Sequence, residues 1–252
     1  MTTLMTDEVA IVAGPSRLVT ESVVRELLLK NATVIVPAKS AREIALLKES
    51  LVGIDSGKLV TLLTDYPDYD KASEIAENIV EQFGKIDLAV ISFDRPQSTG
   101  LLTESDTIEW NKMIDQNITP FFIVSRVVLE NMKANKKGVI ISIINALDTG
   151  EEKPSALANL CTMMQTEMAK LISEEVKKYD IKCYHLLATH FTDPLLHYSI
   201  NTLHNDAELN SIGHYIFQLF NRETKDTERL FENLVLNVTS SNVTLNPIQT
   251  YS

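Results

Sequence analysis

Glycine is scarce in this chain, with 8 residues in 252, about half the usual share of roughly 7%. The shortage leaves few points where a backbone can turn tightly or come close to a bound phosphate. A basic surplus is missing too. The formal net charge is −11, so nothing is available to neutralise a nucleic acid, and no such partner is expected. No apolar run approaches the length needed to span a bilayer, and no membrane helix is expected. The opening MTTLMTDEVAIVAG runs straight into an apolar strand pattern, without the basic stretch and cleavage site of a secretory leader. Cysteine is limited to Cys161 and Cys183, which have no metal-ligand or redox spacing. That usage suits a reducing compartment, and the expected location is cytoplasmic. The glycosylation-type triplets at Asn117, Asn237 and Asn242 then read as chance matches.

What is present is alternation. Short apolar, β-branched runs fall at Val9–Ala13, Thr33–Pro37, Leu59–Leu63, Ile86–Ser92, Gly138–Ile143 and Ile181–Leu187, with a weaker one at Pro247–Tyr251. Between them, helical patterns cover Arg17–Lys30, Ala41–Leu51, Tyr69–Phe83, Asp106–Asn135 and Ser155–Lys178. Runs such as VAIVA and VIISII suit strands covered on both faces. This predicts an α/β chain with a doubly wound parallel sheet of about seven strands and helices on both sides. One domain over 1–252 is expected, with 193–220 as a helical lid insertion and Arg222–Asn237 as a further amphipathic helix.

The first strand and turn, VAIVAGPSRLVT, resemble the opening of the short-chain dehydrogenase/reductase family, a Rossmann-like fold. That family's loop reads Thr-Gly, three residues, Gly, one residue, Gly. Gly14 holds the first glycine position, while Leu18 and Thr20 hold the second and third. Ser16 and Arg17 match the Ser-Arg of the NADP-preferring subgroup. The missing glycines matter because they let the backbone reach the pyrophosphate and let the helix pack on the strand. Lys39, after the second strand, stands where NADP-binding members carry a basic residue; as a plain lysine it would be a solvated surface charge. Asp65 matches the family's adenine-capping Asp, and otherwise reads as a turn former. The family's Asn-Asn-Ala-Gly after the fourth strand is here Ile91, Ser92, Phe93 and Asp94, which would put bulk and negative charge beside a dinucleotide.

The resemblance also implies a catalytic tetrad of Asn, Ser, Tyr and Lys. In it, Tyr is the acid or base, Lys lowers its pKa, Ser binds the substrate carbonyl and Asn holds a relay water. DTIEWNKMIDQNITPFF puts Asn117 on the Asn position, where it can equally support a bulge in its helix. GVIISIINAL puts Asn145 on the Ser position. Counting back from Tyr179-Asp180-Ile181-Lys182, the Tyr and Lys positions fall on Ala158 and Thr162. Neither side chain can relay a proton to a substrate. Other ionisable candidates are Lys153, Asp148, Glu151 and Glu152 on the preceding loop, and His185, His190 and His197 around the sixth strand. Ala188-Thr189 replaces the family's Pro-Gly.

Two functional expectations follow. The first is a divergent member without standard dehydrogenase activity, acting as an oligomeric partner or a ligand-binding protein. Family members pair through the helices corresponding to Asp106–Asn135 and Ser155–Lys178, so a homodimer, a homotetramer or a mixed assembly with an active relative is expected. On the second helix, Leu157, Leu160, Cys161, Met164, Met168, Leu171 and Ile172 recur at three-to-four spacing. The alternative is an NAD(P)-dependent oxidoreductase with a rebuilt site, for which NADP(H) is the implied cofactor. No metal is expected.

Overall fold

The computed structural model describes residues 4–14, 17–64, 69–93, 100–145, 155–189, 213–214, 216–217, 220–221, 231–238 and 243–247. The strands are β1 (Val9–Ala13), β2 (Thr33–Ala38), β3 (Lys58–Leu63), β4 (Leu88–Ile91), β5 (Lys137–Asn145), β6 (Asp180–Thr189), β7 (Phe231–Val238) and β8 (Val243–Pro247). They form one sheet in the order β3-β2-β1-β4-β5-β6-β7-β8. The first seven run parallel, and β8 returns antiparallel to β7. The order reverses between β1 and β4, which places the switch point at the carboxyl ends of those two strands.

The helices are α1 (Arg17–Leu29), α2 (Ala41–Ser50), α3 (Tyr69–Phe83), α4 (Thr107–Met113), α5 (Thr119–Asn135) and α6 (Ala156–Val176). Their starts are written in the sequence. The Ser40 hydroxyl accepts from the Glu43 amide at α2, and Asp106 accepts from Ile108 and Glu109 at α4. Ser155 accepts from Ala158 at α6. Each satisfies amides that a helix start leaves without partners.

Two apolar layers hold the sheet. One joins β1, β2, β5 and β6 to α1 and α2 through residues such as Val23, Leu27, Val34, Leu47 and Ile141, and it includes Ile216 and Phe217. The other joins the opposite face to α3, α5 and α6 through Ile79, Phe121, Val128, Ile140 and Val176. Strands sandwiched this way are apolar on both faces, and every residue of VAIVA in β1 is buried. Pro37 is tolerated in an inner strand because the β1 pairing of β2 has ended at Ile35.

Three expectations are corrected. The stretch Asp106–Asn135 is broken by a π-helical segment, Ile114–Ile118. Residues 231–238, expected in a helix over Arg222–Asn237, form β7 instead. Phe231, Leu234, Val235 and Val238 do recur with helical spacing, but pairing with β6 on one side and β8 on the other satisfies the backbone as a strand. The last strand is Val243–Pro247 rather than Pro247–Tyr251. Most of 193–220 lies outside the described residues; Gly213, His214, Ile216, Phe217 and Phe220 are helical.

Candidate functional site

The carboxyl ends of β1, β2, β4, β5 and β6 converge on one edge of the sheet. At β1, Gly14 has a φ of +135°, and a Cβ there would stand 1.7 Å from the Ser92 carbonyl oxygen. The Ser92 amide donates to the Ala13 carbonyl at 2.8 Å. Thus the residue that follows β4 lies directly against the turn, and only glycine fits. The Thr20 hydroxyl donates back to the Gly14 carbonyl at 3.4 Å. Between α1 and α2 lies a cavity of about 90 Å³, lined by Gly14, Thr20, Glu21, Pro37, Glu43 and Leu47 among others. Lys39 is exposed, and its backbone amide donates to the Glu43 carboxylate at 2.9 Å. Two acidic residues, Glu21 and Glu43, are thus among those that line this cavity.

At the other end, α6 packs against α4 and the π segment through Leu157, Cys161, Met113 and Ile118. The Asn117 side chain is buried and donates to the Met113 carbonyl at 3.1 Å. The π turn spaces its hydrogen bonds five residues apart, as in Thr119 to Ile114, which offsets the Asn117 carbonyl from the regular ladder. The Gln165 side-chain amide donates to that carbonyl and to the Phe93 carbonyl, each at 3.4 Å. Gln165 is 1% exposed and Ala158 2%. The Ala156 amide donates to the Gly100 carbonyl at 3.1 Å, which ties Gly100 to the first turn of α6.

Behind this edge, Ser142 and His185 sit opposite each other on β5 and β6, with Oγ and Nδ1 3.2 Å apart. Both are buried. Burial, reinforced by the Lys170 charge, holds the His185 imidazole down at about 4. The Cys161 and Cys183 thiols are pushed up to about 12 by burial, which leaves neither as a ready nucleophile. Among the described residues, no group of three or more His, Cys, Asp or Glu could hold a metal ion, and no helix is long and apolar enough to cross a membrane.

A family model described as short chain dehydrogenase matches residues 8–158. The chain belongs to the short-chain dehydrogenase family. An uncharacterized oxidoreductase of Staphylococcus saprophyticus is 24% identical over 176 residues, 70% of this chain and 75% of that protein. The 3-oxoacyl-(acyl-carrier-protein) reductase FabG of Vibrio harveyi is 29% identical over 142 residues, and the match spans 56% of each chain. Among solved structures, a metagenomic short-chain oxidoreductase in complex with NADP superposes with a TM-score of 0.71 at 16% identity, covering 93% of this chain and 98% of that one. Levodione reductase gives 0.75 at 13% identity, covering 93% and 96%. At such identities these superpositions establish the fold alone.

In this family member, the structure describes only part of the expected site. Gly14 directly follows β1 and Lys39 directly follows β2, Asn117 is on the π segment, and Ala158 and Thr162 are on α6. Asn145 ends β5 opposite Ala188, with only its backbone described. Arg17 begins α1, likewise described by its backbone alone. Ser16, Asp65, Asp94, Asp148, Glu151, Glu152, Lys153, His190 and His197 lie outside the described residues. Phe93 is a correction: its side chain is fully buried in the apolar layer that includes Phe121, rather than standing as exposed bulk. Glu21, Glu43 and Gln165 went unnoticed in the sequence. Gln165 had a signal, since it falls seven residues after Ala158 and so on the same helix face.

Proposed function

We propose that this chain is a short-chain dehydrogenase relative without standard dehydrogenase chemistry, acting as an oligomeric partner with a residual small-ligand pocket. The reading is carried by the α6 face Ala158–Thr162–Gln165. The first two positions hold no group able to exchange a proton with a substrate. The third puts a neutral amide on the Asn117 carbonyl, the place where active relatives would hold a relay water. The dinucleotide end supports the same reading. Thr20 stands in place of a loop glycine, and Glu21 and Glu43 border the cavity where a phosphorylated ribose would approach. The NADP bound by the metagenomic relative makes the alternative concrete, an oxidoreductase whose site is rebuilt around Gly14, Ser16, Arg17, Lys39 and Asp65.

The partner role rests on α5 and α6. Phe122 is exposed on α5, and Met163 and Leu171 are exposed two turns apart on α6. The charges among them are mixed in sign and already paired, as Arg126–Glu130, Lys170–Glu167 and Lys133–Glu175. In a chain of net charge −11, a balanced face is where two copies can meet without strong repulsion. Titration calorimetry with NADPH and then NADH on the purified protein separates the readings. No heat with either cofactor is expected. Saturable NADPH binding would overturn the proposal in favour of the rebuilt oxidoreductase.

A further inference from the structure

We propose that the core holds a binding site for one water molecule, which bridges the Ser125 and Ser142 hydroxyls and ties α5 to β5. Ser125 faces inward from the middle of α5 and is 2% exposed. Its Oγ is shut off from solvent and has no hydrogen-bond partner among the described residues. A buried helical serine commonly bonds to the carbonyl one turn back, and this one does not. A hydroxyl buried without a partner is costly. Its neighbours Phe122 and Arg126 point outward, so Ser125 belongs to the side of α5 that rests on the sheet.

The space beside Ser125 selects the occupant. A cavity of about 10 Å³ lies among Ser125, Ser142 and Tyr184, with Ile91, Phe121 and Ala169 in its apolar walls. That is about the volume one water needs, and far below what an organic ligand needs. No acidic or basic side chain lines it, so nothing there would hold an ion. A wholly apolar cavity of this kind would stay dry, but two hydroxyls face this one. Their bonding leaves room for the water. Ser142 Oγ lies 3.4 Å from the Tyr184 carbonyl and 3.2 Å from His185 Nδ1. With the Ser142 proton on that carbonyl, the neutral imidazole donates through Nδ1 to the Ser142 oxygen. One acceptor position on Ser142 is then left over. The water donates to it and accepts the Ser125 proton, which satisfies both hydroxyls.

Ser125→Ala tests this directly, because a wet and a dry cavity give opposite signs. With the water in place, the change removes a bridge between α5 and β5, and the urea midpoint should fall. In a dry cavity the change removes only an unmet hydroxyl, and the midpoint would stay level or rise. Oxygen-17 magnetic relaxation dispersion on the full-length protein counts the waters held for longer than the molecule takes to tumble. One such water per chain should be lost in Ser125→Ala, and likewise in Ser142→Ala. Circular dichroism shows whether each variant is folded. Should Ser142→Ala fail to fold, Ser125→Ala decides alone, since alanine suits the middle of a helix. An unchanged water count in folded Ser125→Ala overturns the proposal, and so does a level or raised midpoint.

Discussion

At Gly14 a single hydrogen atom separates a workable turn from a collision. The Ser92 carbonyl lies 1.7 Å from the position of an added Cβ, and it is fixed there by the β1–β4 junction. Gly14→Ala should therefore cost stability on the order of 3 kcal/mol or more, read as a lowered urea midpoint; an unchanged midpoint would mean that β4 moves aside freely. This glycine persists for a packing reason, whatever the loop binds. His185 gives a second prediction at this scale. Its imidazole titrates at about 4 in the fold against an ordinary value of 6.5. Between those values the unfolded chain takes up a proton that the folded chain refuses, so stability is lost as pH falls through that window and is fully present above it. Urea midpoints should decline more steeply from neutral to acid pH in the native protein than in His185→Gln. Parallel declines would show that His185 is not the group responsible.

Among the elements, the junction of α6 with the π segment decides what the site can be. The π turn was legible only as a possible bulge at Asn117, because periodicity averages over a helix and does not register one displaced carbonyl. Gln165 spans from α6 to the Asn117 and Phe93 carbonyls, and so ties three elements together. Its replacement by Leu keeps the volume and removes the donor. That change should destabilise the protein by about 1–2 kcal/mol with helix content unchanged by circular dichroism; no loss would mean that these long hydrogen bonds contribute little. In β7, Phe231, Leu234, Val235 and Val238 carry a helical spacing, and the neighbouring strands override it. A local pattern cannot report which backbone will lie alongside.

For the whole molecule, net charge and surface layout set how it associates. The apolar positions expected along α6 divide in the structure: Leu157 and Cys161 are buried in the chain's own core, and Leu171 remains exposed together with Met163. If the α5–α6 face pairs two copies, light scattering should give twice the 28.2 kDa of one chain. A Met163→Glu/Leu171→Glu variant should then return to the single-chain mass with its circular dichroism intact, since both changes are on exposed positions. A native protein that elutes as a monomer at all concentrations would leave this face without a role in self-association.

Periodicity and the order of apolar runs were enough to specify a doubly wound sheet, because each of those signals is local and repeats along the chain. The identities at Ala158 and Thr162 were equally plain, since a helix count from Tyr179–Lys182 reaches them without any fold. The surroundings of those positions could not be read that way. Phe93 turning into the core, Gln165 reaching the Asn117 carbonyl, and Glu21 and Glu43 lining one cavity all depend on segments distant in sequence coming together. Those contacts exist only once the sheet has brought its strand ends together.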